Sequence, residues 1–461
     1  MKKTHPLFPD LINHLLFVIL FIYASIYYKE RLFADSGYYI YRVIDSNFFV
    51  VELNRFILLF SQVLPVITIK LGCSLKTVLI SYSVWHVLFF YILFLISRYC
   101  YKNHVAGILL ILLQTIGIRD GYFTPMFELY YGVGFLVLLA SILYKDGHAI
   151  SDRILMVILS LIILTSHPFT YFLLLSILLF HFIKHRWEYV TYYIVAIVLI
   201  ILVMIYKNHT ANDYERGKTN NIIYQLHNGI YNWDYIKSLL HFLFKYYKDL
   251  LVLGISTIIY FVLRKEYIKG ILSIGIYLFF IALVNLAYYG FEHSRYQEQV
   301  YFPLAFIVSF IFVFIAINNF SLRNTLVIYC FLAVLVIFRL IWISVAAVDF
   351  TYRITTAEKL IEKCQSLKGN KFVIKEKDIV PEKGIGTNWS YPMETMLLSK
   401  INPRNKTVTV CTEDDMLTND NRSKLRPENY LMRSWDIRDD ASVNQKYFHL
   451  NDGEYITINA K

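Results

Sequence analysis

The segment Phe33-Ala-Asp35-Ser-Gly37-Tyr-Tyr39 places a carboxylate, a glycine and two tyrosines just past the first long apolar run of the chain. A carboxylate there can take a proton from an acceptor hydroxyl or help hold a divalent cation. Its plain structural alternative is an aspartate capping the helix that follows. A second acidic group lies in Arg119-Asp120-Gly-Tyr-Phe-Thr-Pro-Met-Phe-Glu128. Two carboxylates, Asp120 and Glu128, converging on Asp35 from a different loop would suit supporting base and metal-ligand roles. The alternative is that Asp120 pairs with Arg119 and Glu128 opens a helix. No residue is assigned as a metal ligand by spacing alone.

A third cluster runs Phe291-Glu292-His293-Ser-Arg295-Tyr296-Gln-Glu298-Gln-Val-Tyr301-Phe-Pro303. Arg295 carries a fixed charge on a forked donor that fits phosphate oxygens. His293 and Tyr296 flank it, and Arg42, Arg55, Arg216 and Lys218 could share the work. Each of these cations could equally snorkel to lipid phosphates. Ser166-His167-Pro168 offers a histidine that could bind substrate or metal, although a His-Pro step also serves simply to end a helix. His14, His86, His181 and Arg339 fall inside apolar runs and form no series along the chain. The five cysteines have no metal-type spacing, and Cys364 with Cys411 could pair if the tail lies outside the cytoplasm.

The elements that must position these groups follow from composition. Hydrophobic residues make up 57% and charged residues 17% of 461, too apolar and too weakly charged for a soluble enzyme, a disordered chain or a disulfide-stapled module. Apolar runs near the length that crosses a ~30 Å hydrocarbon layer recur from Leu11 to Ala347. The expected fold is a polytopic α-helical membrane protein of about eleven spans, at 11–28, 77–97, 104–118, 127–143, 154–166, 169–183, 189–206, 249–263, 270–288, 299–317 and 324–346. The first run follows Met1-Lys2-Lys3 without a small-residue cleavage site and reads as a membrane helix, not a signal peptide. Basic residues in the short loops put the amino terminus in the cytoplasm and the tail outside it. The formal charge of +11 arises ahead of the tail and is scattered through loops, so nucleic acid is a poor partner.

Two long outer loops, 29–76 and 207–248, carry their own structure. Phe56 to Leu71 reads as a helix along the interface, as does the aromatic and basic stretch from Tyr231 to Lys248. The division falls into a membrane domain over 1–346 and a small extracytoplasmic α/β domain over 347–461. In the latter, Lys371-Phe-Val-Ile-Lys, Thr407-Val-Thr-Val-Cys and Glu454-Tyr-Ile-Thr-Ile read as strands and Thr356 to Leu367 as a helix.

With Asp35 inside Ala-Asp-Ser-Gly-Tyr-Tyr, and Arg295-Tyr296 followed by Pro303, residues 10–346 resemble the GT-C superfamily of integral-membrane glycosyltransferases. The shared features are many spans, an acidic residue directly after the first helix, interfacial helices in the first outer loop, and in some members a soluble outer domain. Many members have paired acidic residues in that loop, whereas here Asp35 has only Asp45 ten residues on, which leaves the need for a divalent cation open. The resemblance implies an inverting transfer from a polyprenyl-phosphate-linked sugar to a glycan, lipid or protein at the outer face of a bacterial cytoplasmic membrane. Asp35 would be the catalytic carboxylate, and Arg295, with Arg42 or Arg55, would neutralise the departing lipid phosphate. Membrane lipids are the surrounding partners.

An O-antigen-type polysaccharide polymerase uses similar substrates but usually lacks a folded tail of this size. A transporter or flippase would place ionisable groups near the midplane and show inverted repeats. A non-catalytic anchor would need one span.

Overall fold

In the computed structural model, residues 7–228, 233–287, 294–317, 322–376, 385 and 389–459 are described. The first nine helices are α1 (Leu7–Ile26), α2 (Asp35–Ser46), α3 (Leu58–Lys70), α4 (Leu75–Leu95), α5 (Ala106–Leu112), α6 (Glu128–Leu143), α7 (Ile150–Leu164), α8 (Phe169–His185) and α9 (Val190–Thr210). Then come α10 (Asp213–Asn228), α11 (Trp233–Tyr246), α12 (Lys248–Leu263), α13 (Tyr267–Ala287), α14 (Ser294–Phe310) and the 45-residue α15 (Leu322–Ser366). Local chemistry sets several of the starts. Ser74 caps α4 by accepting the Thr77 amide at 3.3 Å, Asn103 accepts the first amides of α5 at 3.1 Å, and Asp152 accepts the Ala149 amide ahead of α7 at 3.1 Å.

Among the described residues, six helical stretches are long and apolar enough to cross a membrane: Phe8–Ile26, Leu75–Cys100, Trp187–Thr210, Tyr267–Val284, Glu298–Ala316 and Thr325–Ser366. They coincide with six of the eleven expected spans. The other five runs fall on helices of 7 to 17 residues, shorter than that criterion. Every residue of α5 and α6 is buried in protein, so their apolar character serves the core of the bundle. Hydropathy registers apolar surroundings and does not distinguish lipid from neighbouring helices. Side chains such as Ile194, Ile201 and Ile205 on α9, or Ile271 and Leu278 on α13, are exposed apolar surface, as a lipid-facing wall requires. The break at 165–168 is a turn between α7 and α8, not a kink.

The two ends of the bundle are fixed differently. At one, Arg98 donates two bonds, 2.6 and 2.7 Å, to the Asp10 carboxylate and ties α1 to α4, while Tyr329 of α15 donates to the His104 carbonyl at 2.6 Å. At the other, Phe350 of α15 stacks on Phe123 at 4.2 Å and meets Phe33 edge-on at 5.4 Å. Lys29 pairs with Glu358 at 2.7 Å just beyond.

The expected domain boundary at 346/347 lies inside α15, which continues unbroken into the tail. There the strands β1 (Lys371–Ile374), β2 (Thr409–Thr412) and β5 (Ile456–Ile458) form a parallel sheet in the order β2-β1-β5, and β3 (Asn429–Arg433) pairs antiparallel with β4 (Asp436–Asp439). Helix α16 (Tyr391–Ser399) falls between β1 and β2 in the chain and packs on β2. Cys364 and Cys411 are separate buried thiols, so the disulfide offered by their positions in sequence is not formed.

The first long loop is almost wholly structured. Gln62 of α3 exchanges two 2.7 Å bonds with the Val50 backbone, and α3 packs against α2 and α4. The second contains α10 and α11. Replacing Arg98 with alanine leaves the Asp10 carboxylate buried without its partner and is expected to cost roughly 3 kcal/mol. This is read as a lower unfolding midpoint of the purified protein, and the Asp10→Asn, Arg98→Met double replacement is expected to recover most of the loss.

Candidate functional site

The loop that carries Asp35 has a backbone it could not hold alone. Ala34 sits at φ 52°, ψ −123°, a region that a residue with a Cβ rarely adopts. Its amide donates to Glu394 Oε1 of α16 at 3.2 Å. Glu394 also accepts from Ser390 Oγ at 2.5 Å and pairs with Arg353 of α15 at 2.8 Å. On the other flank, Ser36 Oγ accepts the Met126 amide at 3.0 Å. The chain then turns so tightly that a Cβ on Gly37 would lie 2.2 Å from the Leu32 carbonyl oxygen, so only glycine fits.

Asp35 is consequently the first residue of α2 and half-buried; the residue in the capping position is Ala34, which has no side chain to cap with. The aspartate-cap alternative is not what the fold uses.

Around Asp35 the structure brings together several of the expected residues. Arg55 bonds Glu128 at 2.5 Å and lies 3.9 Å from Glu215 of α10. Burial works against the Arg55 charge, but Glu128 more than offsets it and holds the pKa above the usual arginine range. The Tyr39 phenol is pushed well above its ordinary value, first by burial and then by the charge of Glu128. Arg42 bonds the Tyr38 hydroxyl at 3.0 Å and Glu52 at 3.3 Å. Tyr38 also donates to Glu52, and its pKa is pushed up to about 12 by burial and that carboxylate. Glu128 begins α6, as the helix-opening reading has it, and its charge and that of Asp35 both act on Tyr39.

Asp120 belongs to a neighbouring centre. It lies 3.6 Å from Arg119, and the amides of Arg119, Asp120 and Gly121 all donate to the buried Glu298 carboxylate at 3.0, 3.2 and 2.6 Å. Tyr247 donates to the same group. Arg339 pairs with Asp249 at 3.1 Å close by, under the ring of Tyr247. His167 accepts the Phe169 amide on Nδ1 at 3.2 Å at the start of α8 and packs between the rings of Phe127 and Phe169. Arg295 and Tyr296 lie in the first turn of α14, each within one turn of Glu298, which puts their backbone at the Asp35 end of the bundle; their side chains, and His293 altogether, lie outside the described residues. Among the described residues, no group of three or more His, Cys, Asp or Glu side chains is arranged to hold a metal ion.

Four residues matter here that the sequence did not single out. Glu298 was visible as a lone carboxylate at the head of an apolar run, the signal that ordinarily marks function or a buried contact. Glu394 and Arg353 carry no local signal, because they pair across tens of residues and the Ala34 amide that Glu394 accepts is 360 residues away in the chain. Arg31 reads as one of three flanking charges in Lys29-Glu30-Arg31, yet its side chain is fully buried, with the guanidinium 4.4 Å over the Tyr122 ring.

Compared with family models, curated proteins and solved structures, the chain matches none. The geometry therefore has to speak for itself: a half-buried carboxylate on a clamped loop, with acid–base pairs and tyrosines around it. Glu394→Ala removes the acceptor of the Ala34 amide and leaves Arg353 buried without a counter-charge. The expected result is a loss of about 3 kcal/mol, with faster limited proteolysis of the 32–37 loop than in the wild-type protein.

Proposed function

We propose that this membrane protein is a glycosyltransferase that moves a sugar from a polyprenyl-phosphate-linked donor to a glycan, lipid or protein acceptor at the outer face of the cytoplasmic membrane. The observation that carries the reading is the Asp35 loop. Strained backbone held by three separate segments is a costly arrangement, and such arrangements are characteristic of groups that must be aimed before a reaction.

In this reading Asp35 takes the proton of the acceptor hydroxyl as the new glycosidic bond forms, and the sugar leaves its phosphate on the opposite side. Developing negative charge on that phosphate calls for cations fixed in advance. Arg295 is the outstanding candidate from the resemblance. Arg42 and Arg55 lie on the same face but are already engaged by Glu52 and Glu128, so they shape the field around Asp35 more than they offer open donors. The donor's isoprenoid chain would lie along the apolar outer wall of the bundle, which is why the reacting group belongs at a membrane face. The tail docks on the same end as Asp35, and the positive-inside bias of the short loops supports reading that end as the one outside the cytoplasm.

The test is Asp35→Asn in membranes, with insertion verified, assayed for transfer of labelled sugar from polyprenyl-phosphate donors. Loss of the general base is expected to lower transfer by about 10²-fold or more. Transfer at the wild-type rate would overturn the assignment.

A further inference from the structure

We propose that Arg31 is the centre of a buried oxyanion site, built to hold a phosphate group beside Asp35. Five arginine or lysine side chains are buried in the described structure, and four have an acid in contact: Arg98 with Asp10, Arg339 with Asp249, Arg353 with Glu394 and Lys371 with Asp440. Arg31 is the fifth. It is 0% exposed, and among the described residues its guanidinium nitrogens have no well-formed hydrogen bond, the Tyr122 hydroxyl being a marginal contact. No carboxylate among them lies at ion-pairing distance. A guanidinium shut away from water without a counter-charge is strongly unfavourable, and the face of the Tyr122 ring at 4.4 Å offsets only part of that.

The walls supply more of the same chemistry. The hydroxyls of Tyr82 on α4, Tyr122 in the turn before α6, and Tyr130 on α6 are buried and lack well-formed hydrogen bonds among the described residues, with Ser36 beside the first and Arg31 beside the second. The charge of Arg31 reaches all three, and also His86 and Tyr131. The latter two answer each other, His86 Nδ1 to Tyr131 Oη, at 3.4 Å. What remains is a forked cation among phenolic donors; the carboxylates of Glu298 and Asp35 are felt at Tyr130 and Tyr82, but neither pairs with Arg31. Forked N–H donors with hydroxyls around them match a tetrahedral oxyanion of the phosphate class. Tyr82 feels the charge of Asp35 as well as that of Arg31, so this cluster adjoins the Asp35 loop. That the anion is the phosphate of a lipid-linked sugar rests on the transfer reading; that Arg31 holds an anion does not.

The experiment uses the full-length protein purified in nanodiscs and follows its unfolding temperature. The probes are inorganic phosphate, a short-chain polyprenyl phosphate, and the matching unphosphorylated polyprenol. Wild-type protein is expected to be stabilised by a phosphate-bearing probe and not by the polyprenol. A response to inorganic phosphate assigns a free anion, and a response to polyprenyl phosphate alone assigns the lipid headgroup. Arg31→Met is expected to lose that response while keeping at least wild-type stability without anion, because it removes an uncompensated charge.

Tyr130→Phe removes a hydroxyl with no protein partner. It is expected to leave anion-free stability unchanged and to weaken binding roughly ten-fold, which decides the matter should Arg31→Met not fold. The proposal is overturned if no phosphate-bearing probe stabilises the wild-type protein, or if Arg31→Met or Tyr130→Phe binds it undiminished. Phosphate binding that depends on Arg31 in a protein devoid of sugar transfer would sink the transferase reading and leave this site standing.

Discussion

A single carboxylate, Glu394, joins the two parts of this molecule. It accepts the amide of the strained residue next to Asp35, it neutralises an arginine buried in the last long helix, and it does so from a helix of the C-terminal module. None of the three groups could keep its place without the others. Ala34 would relax to ordinary backbone, Arg353 would need water, and α16 would lose one of its anchors on the membrane bundle. The 45-residue length of α15 follows from the same requirement, since the helix has to run from the far end of the bundle past Phe33 to present Arg353 and then start the module.

The contact surface around that carboxylate is broad and mixed in character. Tyr41 bonds Tyr430 at 2.7 Å, Arg438 pairs with Asp45 at 3.4 Å, Asn444 donates to the Ile44 carbonyl at 2.6 Å, and Tyr447 donates to the Cys73 carbonyl at 3.0 Å. Arg433 lies over Tyr38 at 4.5 Å, and Trp389 packs against the same ring. Burial raises the pKa of Asp45, opposed by Arg438, so this contact depends on the pair staying intact. The module is thus a second wall for the α2–α3 loop, fused to it through side chains from both sides.

Much of this was legible in the sequence, for identifiable reasons. Long apolar runs, a polar step after the first of them, and alternating β-prone segments in the tail are local signals, and helices α1, α4, α9 and α13 to α15 appear where hydropathy puts them. Strands β1, β2 and β5 do too. Helices α5 and α6 show where the method reaches its limit: a helix walled in by other helices and a helix facing lipid have the same composition. Asp35, Arg55 and Glu128 were conspicuous as charged residues between apolar runs, and the fold pairs Arg55 with Glu128 at 2.5 Å. Glu394, Arg353 and Arg31 were not found, because nothing in a charged residue's own neighbourhood tells whether it ends in water or in the core. The continuity of α15 was hidden for a related reason, since a change from apolar to charged composition looks like a boundary even when the backbone hydrogen bonds run straight through it.

The two polar centres at this end of the bundle are not independent. The turn from Arg119 to Thr124 is pinned by Glu298 at its beginning, and two residues later Met126 donates to Ser36 of the Asp35 loop. Tyr122 in that turn faces Arg31, and Phe123 stacks on Phe350 of α15. A shift of the Glu298 contact would therefore move Tyr122 against Arg31 and Met126 against Ser36 at once. Rigid transmission of this kind needs a segment with no slack, and the turn meets that condition because a Cβ on Gly121 would lie 2.9 Å from Glu298 itself. The carboxylate that reacts in the proposed chemistry is held through Ala34 from one side and through this turn from the other, so its aim is set by contacts from α14, α15 and α16 together, far beyond the loop in which it is written.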